Sequence, residues 1–292
     1  MVIKQLVYLV ALARERHFGR AATACGVSQP TLSAALRQLE DELGVPIVER
    51  GHRYNGLTAE GEEVLAHAIR ILSECDSLRQ SLAAQKGDLT GRLRLGAIPT
   101  ALPIVPRVTF PFTAQHPSVT LAILSHTSAE LQRGIDNFEI DAGITYIDNE
   151  PFDRVIAKPI YIEEYVLLTD EVGPFEGRET VGWEEAAALR LCLLTPDMQN
   201  RRIVDSVFRK IGRTPTVSVE TNSIFNLMSH TGAGAWSSIV PKQLVTHFGQ
   251  PPGTRTLALV DPVVTHQIGI VVADRDPLPP IVRAIFDSAV SP

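Results

Sequence analysis

Ser28-Gln29-Pro30-Thr31-Leu32-Ser33-Ala34-Ala35-Leu36-Arg37-Gln38-Leu39-Glu40 is the stretch on which the reading of this chain turns. Leu32, Leu36, Leu39 and Leu43 recur at the spacing of one helical face and predict a buried stripe. Ser28 suits the N-cap, where its hydroxyl can accept from a free backbone N–H of the first turn. Pro30 falls inside that turn, where a missing N–H costs little. Gly44 ends the helix and Pro46 prevents its resumption. Off the stripe, Gln29, Ser33 and Arg37 share another face. Glutamine can pair bidentately with adenine, arginine with guanine, and serine with a groove edge or phosphate. One side of this helix is made for a core and another for reading bases.

Working outward, residues 4–16 predict a first helix with Leu6, Leu9, Val10 and Ala13 inward, and 19–25 a short second one. Gly26-Val27 then turns into Ser28. Helix, helix, Gly-containing turn and helix is the helix-turn-helix order, which lays the last helix in the major groove. A plain three-helix bundle with a polar outer face shares this pattern, and periodicity alone leaves both open. Residues 46–50 and 54–57 read as two short strands around Gly51-His52-Arg53, a wing. Its Arg50 and Arg53 could lie along phosphate or enter the minor groove; a solvated basic turn is the other reading.

Arg20-Ala21-Ala22, Val27-Ser28-Gln29-Pro30-Thr31-Leu32-Ser33, Leu39-Glu40-Asp41-Glu42-Leu43-Gly44 and Leu57-Thr58-Ala59-Glu60-Gly61 together resemble the LysR-type transcriptional regulators. The motifs fill most of the first sixty residues in the family's order. Ala34 and Ala35 depart from it, standing where polar or basic residues are common, and Val48 replaces a usual Phe. The resemblance implies an all-α winged helix-turn-helix domain (residues 1–58), a dimerisation linker helix (59–87) and a bilobed α/β effector domain of periplasmic-binding-protein fold (88–292). By that division lobe I spans 91–161 and 267–292, and lobe II spans 162–266. The DNA-binding set carried onto this chain is Ser28, Gln29, Pro30, Thr31, Ser33, Arg37, Arg50 and Arg53.

Thr58 is placed to cap a helix running to about residue 85. Val64, Ala68, Ile71, Cys75, Leu78 and Leu82 recur on a heptad, widened by Leu65 and Leu72, which implies a partner helix. The simplest partner is the same helix of a second subunit, giving two recognition helices for dyad half-sites one helical turn apart. Family resemblance implies the same dimer and, from pairs of dimers, a homotetramer.

The net charge of −6 does not exclude DNA, because only the field at the docking surface matters, and there acids and bases nearly balance. Binding should weaken with salt. Met1 leads straight into a charged amphipathic helix, and no apolar run reaches membrane-spanning length, so a cytoplasmic protein without membrane contact is expected. Cys25, Cys75 and Cys192 lack metal-ligand or redox-pair spacing. Peroxide-sensing members of the family use a cysteine pair in the effector domain; here Cys192 stands alone in that region. His126, His230, His247 and His266 are dispersed, with no nucleophile elbow or P-loop. Neither a catalytic residue nor a metal is expected.

From Arg92 the pattern changes. Strands are predicted over 93–98, 119–124 and 141–146, with helices over 102–115 and 128–136 between them. That alternation predicts a parallel sheet with crossover helices. A second block follows, with strands over 165–169, 191–194 and 217–220 and helices over 183–188, 201–211 and 223–231. A strand at 267–273 and a helix at 279–290 return to the first block. Two lobes joined by crossings near 160–164 and 264–268 are the expectation. Ligands of such sheets sit at the carboxyl ends of strands beside helix N-termini, which favour an anion. The candidate effector residues are Thr100, Thr127, Ser128, Pro196, Asn200, Asn222 and Ser223, each also readable as a helix cap. Arg201 and Arg202 stand nearby as ligand groups or as plain surface charge.

The expected function is regulation of transcription, gated by a small inducer, a carboxylate or other small anion. Double-stranded operator DNA and a second copy of the chain are the partners, and RNA polymerase is what such a regulator would meet at a promoter. A stand-alone solute-binding protein would share the bilobed domain but has no need of residues 28–43. Gly96-Ala97-Ile98-Pro99-Thr100-Ala101-Leu102-Pro103 and Asp148-Asn149-Glu150-Pro151 are similar to a subgroup encoded beside formate dehydrogenase genes, which implies formate or a related carboxylate.

Overall fold

The computed structural model describes residues 1–49, 54–84 and 89–289, which form two compact units, Met1–Asp88 and Leu89–Pro292. In the first unit, α1 (Ile3–Glu15), α2 (Phe18–Ala24) and α3 (Gln29–Leu43) close around Leu6, Leu9, Leu12, Ala22, Leu32, Leu36 and Leu39. Ser28 caps α3 as its chemistry dictates, accepting from the Thr31 N–H at 3.3 Å, and Gly44 stops the helix with φ of 72°. His17 caps α2, its Nδ1 accepting from the Gly19 N–H at 3.1 Å. Leu43 does not extend the buried stripe: as the last residue of α3 it is 41% exposed. On α1, Tyr8 and Leu12 are buried, whereas the expected Val10 and Ala13 are only half-buried.

Among the described residues of the expected wing the pairing is short. One antiparallel bridge, Val48 to Leu57, is supported by the Glu49 N–H donating to the Gly56 carbonyl at 3.1 Å. Arg50 and Arg53 lie outside the described residues. The Glu40 carboxylate accepts from the Ile47 and Val48 N–H groups at 2.8 and 3.0 Å, pinning the base of the wing to α3. Thr58 does cap α4 (Ala59–Ala84), accepting from the Gly61 N–H at 2.9 Å.

Helix α4 packs its first half against the DNA-binding domain. Val64, Leu65, Ala68 and Leu72 pack into that domain's own core. Only farther along does the stripe lose intramolecular cover, with Leu78 63% and Leu82 55% exposed. The heptad serves two surfaces in turn.

The second unit is α/β. It runs β1 (Gly91–Ala97), a 3-10 turn (Pro99–Ile104), α5 (Val105–Gln115), β2 (Val119–Ser125), α6 (Ser128–Asp136) and β3 (Ala142–Tyr146). Then come β4 (Val155–Asp170), β5 (Thr180–Gly182), α7 (Trp183–Ala187), β6 (Arg190–Leu194), α8 (Gln199–Lys210) and β7 (Thr216–Thr221). The chain closes with α9 (Ile224–Gly232), β8 (Ser238–Pro241), α10 (Lys242–Phe248), β9 (Thr254–Val260), β10 (Thr265–Ala273) and α11 (Pro280–Ser288). The expected helix over 102–115 starts as a 3-10 turn carrying Pro99 and Pro103, which supply no N–H for regular helix bonds. Strands β5, β8 and β9 and helix α10 had no counterpart in the sequence reading.

Strand order is β2-β1-β3-β10-β4-β9-β5, with β8 also on β4 and β6–β7 a separate parallel pair. Strands β1, β2 and β3 are parallel, and β10 runs antiparallel to β3 and β4. Strand β4 pairs with β10 as far as Glu164, then from Tyr165 with β8 and from Val166 with β9. It passes unbroken from one lobe to the other at the place expected for a crossing, and β10 begins the return at Thr265.

Candidate functional site

On α3, Gln29, Pro30, Thr31, Ala34 and Arg37 are exposed together with the cap Ser28, while Ser33 is half-buried. The hydroxyls of Ser28 and Thr31 lie 2.8 Å apart and share a hydrogen bond, and Arg37 Nε donates to the Ser33 carbonyl at 3.3 Å. Packing therefore leaves the opposite face of a firmly capped helix open. Gln29 and Arg37 are the side chains on it with bidentate capacity for bases.

Between the lobes of the second unit lies a cavity of about 10 Å³, on the order of one water. Its walls include Thr100, Thr127, Ser128 and Asn200 of the expected set, with Gln199 and the apolar Ile98, Leu194 and Met198. Pro196, Asn222 and Ser223 are not among the lining residues. Asn222 is exposed, and Ser223 caps α9 by accepting from the Asn226 N–H at 3.3 Å. Asn222 and Ser223 belong to the β7–α9 turn, whereas Pro196 lies on the β6–α8 turn, where its carbonyl accepts from Arg202 Nη1 at 3.3 Å.

Helix starts converge on this cavity. Thr127 caps α6 and exchanges bonds with Glu130, whose carboxyl is held below its ordinary value mainly by the Thr127 backbone N–H. The start of α8, with Met198 at its cap, has no side-chain cap. Thr100 Oγ1 and Gln199 Oε1 are buried and have no hydrogen-bond partner among the described residues. Buried polar atoms are ordinarily paired, and Thr145, Thr195 and Trp236 of the same unit also carry unpaired atoms among the described residues.

Two side chains of α8 link the lobes. Arg202 reaches across to Glu150 at 2.5 Å and donates to Ser128 Oγ at 3.2 Å. The Glu150 carboxyl is lowered by its hydrogen bonds from Arg202, and Glu150 itself sits at φ of 48°, a left-handed conformation costly for a non-glycine residue. Gln199 Nε2 donates to the Asn149 carbonyl. A half-exposed ion pair of this kind contributes roughly 0–1 kcal/mol. Arg202 is the functional candidate that sequence reading left undecided. Its neighbour Arg201 is structural: it is buried, paired with Asp205 at 2.9 Å and with Glu220 at 2.7 Å.

Among the described residues no cluster of His, Cys, Asp and Glu could hold a metal, and no helix is long and apolar enough to cross a membrane. Cys192 is fully buried beside Leu194 and Val240, and burial pushes its thiol up.

Residues 3–62 match the bacterial regulatory helix-turn-helix family of lysR type, and residues 86–291 match the LysR substrate binding domain. The DNA-binding transcriptional dual regulator OxyR of Escherichia coli K12 is 30% identical over 279 residues, covering 95% of this chain and 91% of the relative. The structure of a full-length OxyR variant from Pseudomonas aeruginosa, with aspartate in place of one cysteine, superposes with a TM-score of 0.80 at 30% identity, covering 99% of this chain and 94% of that one. Full-length CbnR, solved in complex with its target DNA, gives 0.72 at 25% identity and 99% coverage of both chains. These relatives are regulators and not enzymes, and a helix-turn-helix family match does not support a stand-alone solute-binding protein. With its two family domains in order along one chain, the protein belongs to the LysR-type DNA-binding transcriptional regulators.

Proposed function

We propose that this regulator is gated by a small anion, of the size of a short carboxylate, held between the lobes by Thr100, Ser128, Gln199 and Asn200 with Arg202 as counter-charge. The observation that carries the reading is Thr100 Oγ1, a buried hydroxyl without a partner among the described residues, at a cavity beside an uncapped helix start. Oriented N–H groups and an arginine at a helix N-terminus favour negative charge. The cavity as it stands holds about one water, so even a ligand as small as formate would have to part its walls. Such a ligand would take Arg202 from Glu150 and so change the lobe arrangement, which requires that it bind one arrangement more tightly than the other.

Several relatives are named hydrogen peroxide-inducible genes activators. This chain offers little for thiol chemistry in the effector domain: Cys192 is fully buried with its thiol pushed up, and no second cysteine lies in that domain. Reactive thiols are accessible and of lowered pKa, so an anion is favoured over peroxide.

On DNA, Gln29 and Arg37 would read bases while Ser28, Pro30, Thr31, Ser33 and the wing arginines Arg50 and Arg53 fix register on the backbone. Pairing of the exposed Leu78 and Leu82 stripe would supply the dimer, and dimers of dimers the tetramer. A change of lobe arrangement would alter DNA bending and the access of RNA polymerase. Footprinting of the full-length protein on its promoter, with and without formate and other short carboxylates, tests this gating. A footprint that lengthens or shortens with ligand supports it; one unchanged by every carboxylate at saturating concentration overturns it.

A further inference from the structure

Glu163 sits on β4 one residue before the strand's β10 pairing ends, and it is fully buried. Three tyrosines surround it. The Tyr146 hydroxyl donates to Oε1, the Tyr161 hydroxyl donates to Oε2 at 3.0 Å, and the Tyr165 hydroxyl donates to the Tyr146 oxygen at 3.1 Å. That same oxygen accepts from Asn200 Nδ2 at 3.2 Å. A chain of hydrogen bonds therefore runs from a carboxyl in the hinge, through one hydroxyl, to a wall of the inter-lobe cavity.

Among the described residues no cation pairs with Glu163. Asp148 acts on it as a like charge from the loop after β3, while His266 of β10 stands 3.2 Å from Asp148 and edge-on to Tyr146 and Tyr165. Arg107 of α5 acts on Tyr161. A buried carboxylate without a cation is costly, and burial pushes the Glu163 carboxyl up to about 7, against the opposing pull of the tyrosine hydroxyls. A core held only by packing would not spend four polar side chains here.

We propose that Glu163 is a proton-binding site in the hinge that sets how Asn200 is held at the cavity wall. When Glu163 is ionised, Tyr146 commits its single proton to the carboxylate, and its polarised oxygen binds Asn200 and Tyr165 more strongly. When a solvent proton is taken up on the carboxyl, that acceptor weakens, the Tyr146–Asn200 bond loosens, and the Asn200 amide is freed toward the cavity. The coupling of Glu163 to Asn200 stands without any ligand; only its consequence for effector affinity rests on the gating reading above.

Infrared difference titration of the full-length protein tests the coupling. The wild type should show a buried carboxyl band titrating near neutrality, absent in Glu163→Gln. Tyr146→Phe should move its midpoint upward by about one pH unit, since it removes a hydrogen bond to the charged form. Asn200→Ala should move it upward by less. Persistence of the band in Glu163→Gln, or a midpoint in Asn200→Ala equal to the wild type, overturns the proposal. Should Glu163→Gln fail to fold, the Tyr146→Phe and Asn200→Ala midpoints decide alone.

Discussion

Thr100 is a buried threonine whose hydroxyl binds nothing among the described residues. Such a group costs stability that its isostere does not, about 1–3 kcal/mol when fully desolvated. Thr100→Val is therefore expected to leave the ligand-free melting temperature equal or higher while abolishing effector response, and a lowered melting temperature would contradict this. Gln29 and Arg37 make the opposite case, because they are exposed and their loss costs the fold nothing. Gln29→Ala and Arg37→Ala should each weaken operator binding by about 1–3 kcal/mol if each makes a bidentate base contact. Fluorescence anisotropy on operator and non-operator DNA checks this, with unchanged circular dichroism as the control; equal losses on both DNAs would assign the residues to phosphate instead. Residue chemistry of this kind was open to sequence reading where a side chain acts locally, as at the Ser28 cap. Arg202 was not, since telling it from Arg201 needs the far lobe: one arginine meets Glu150 and the other turns inward to Asp205.

At the scale of the element, α4 divides its work along its length. A Cβ at Gly61 would stand 2.0 Å from the Ile47 carbonyl oxygen, because the first turn of α4 closes directly on the base of the wing. Gly61→Ala should consequently lower the melting temperature of the DNA-binding unit and weaken DNA binding, measured by calorimetry and anisotropy. Farther along, Leu78→Glu alters an exposed position. It should leave the unit folded and convert the oligomer to smaller species in analytical ultracentrifugation; an unchanged sedimentation coefficient would remove this stripe from the interface. The heptad was legible in the sequence, but not the handover from Ala68, which packs at home, to Leu78, which does not. Periodicity reports that a face is apolar and cannot say what covers it. The short strands β5 and β8 escaped for a similar reason: three or four residues carry no period of their own, and partners distant in the chain define them.

Taken whole, the chain carries a helix-turn-helix domain and a two-lobed domain whose lobes are joined by β4 and β10. Strand alternation gave the lobes and both crossings, since it depends on local pattern. The Glu163–tyrosine cluster was invisible, because Tyr146 and Tyr161 come from different strands and meet only when β10 lies between β3 and β4. Its titration should be felt in global stability. An ordinary glutamate titrates at about 4.3, and folded Glu163 at about 7. Between these values the folded state holds a proton that the unfolded chain has released. This contribution is full below the ordinary value and is lost as pH rises through 7, levelling above it. Chemical denaturation across this window should show that decline in the wild type and a flatter profile in Glu163→Gln; identical profiles would contradict it. The measurement that reaches the central claim most directly is a thermal-shift screen of the full-length protein against short carboxylates, formate included, repeated on Thr100→Val and Ser128→Ala. A saturable upward shift, present in the wild type and lost in both variants, is the predicted result, because a ligand that binds only the folded state stabilises it by mass action. A shift that survives in both variants, or none with any carboxylate, would contradict an anion seated between the lobes.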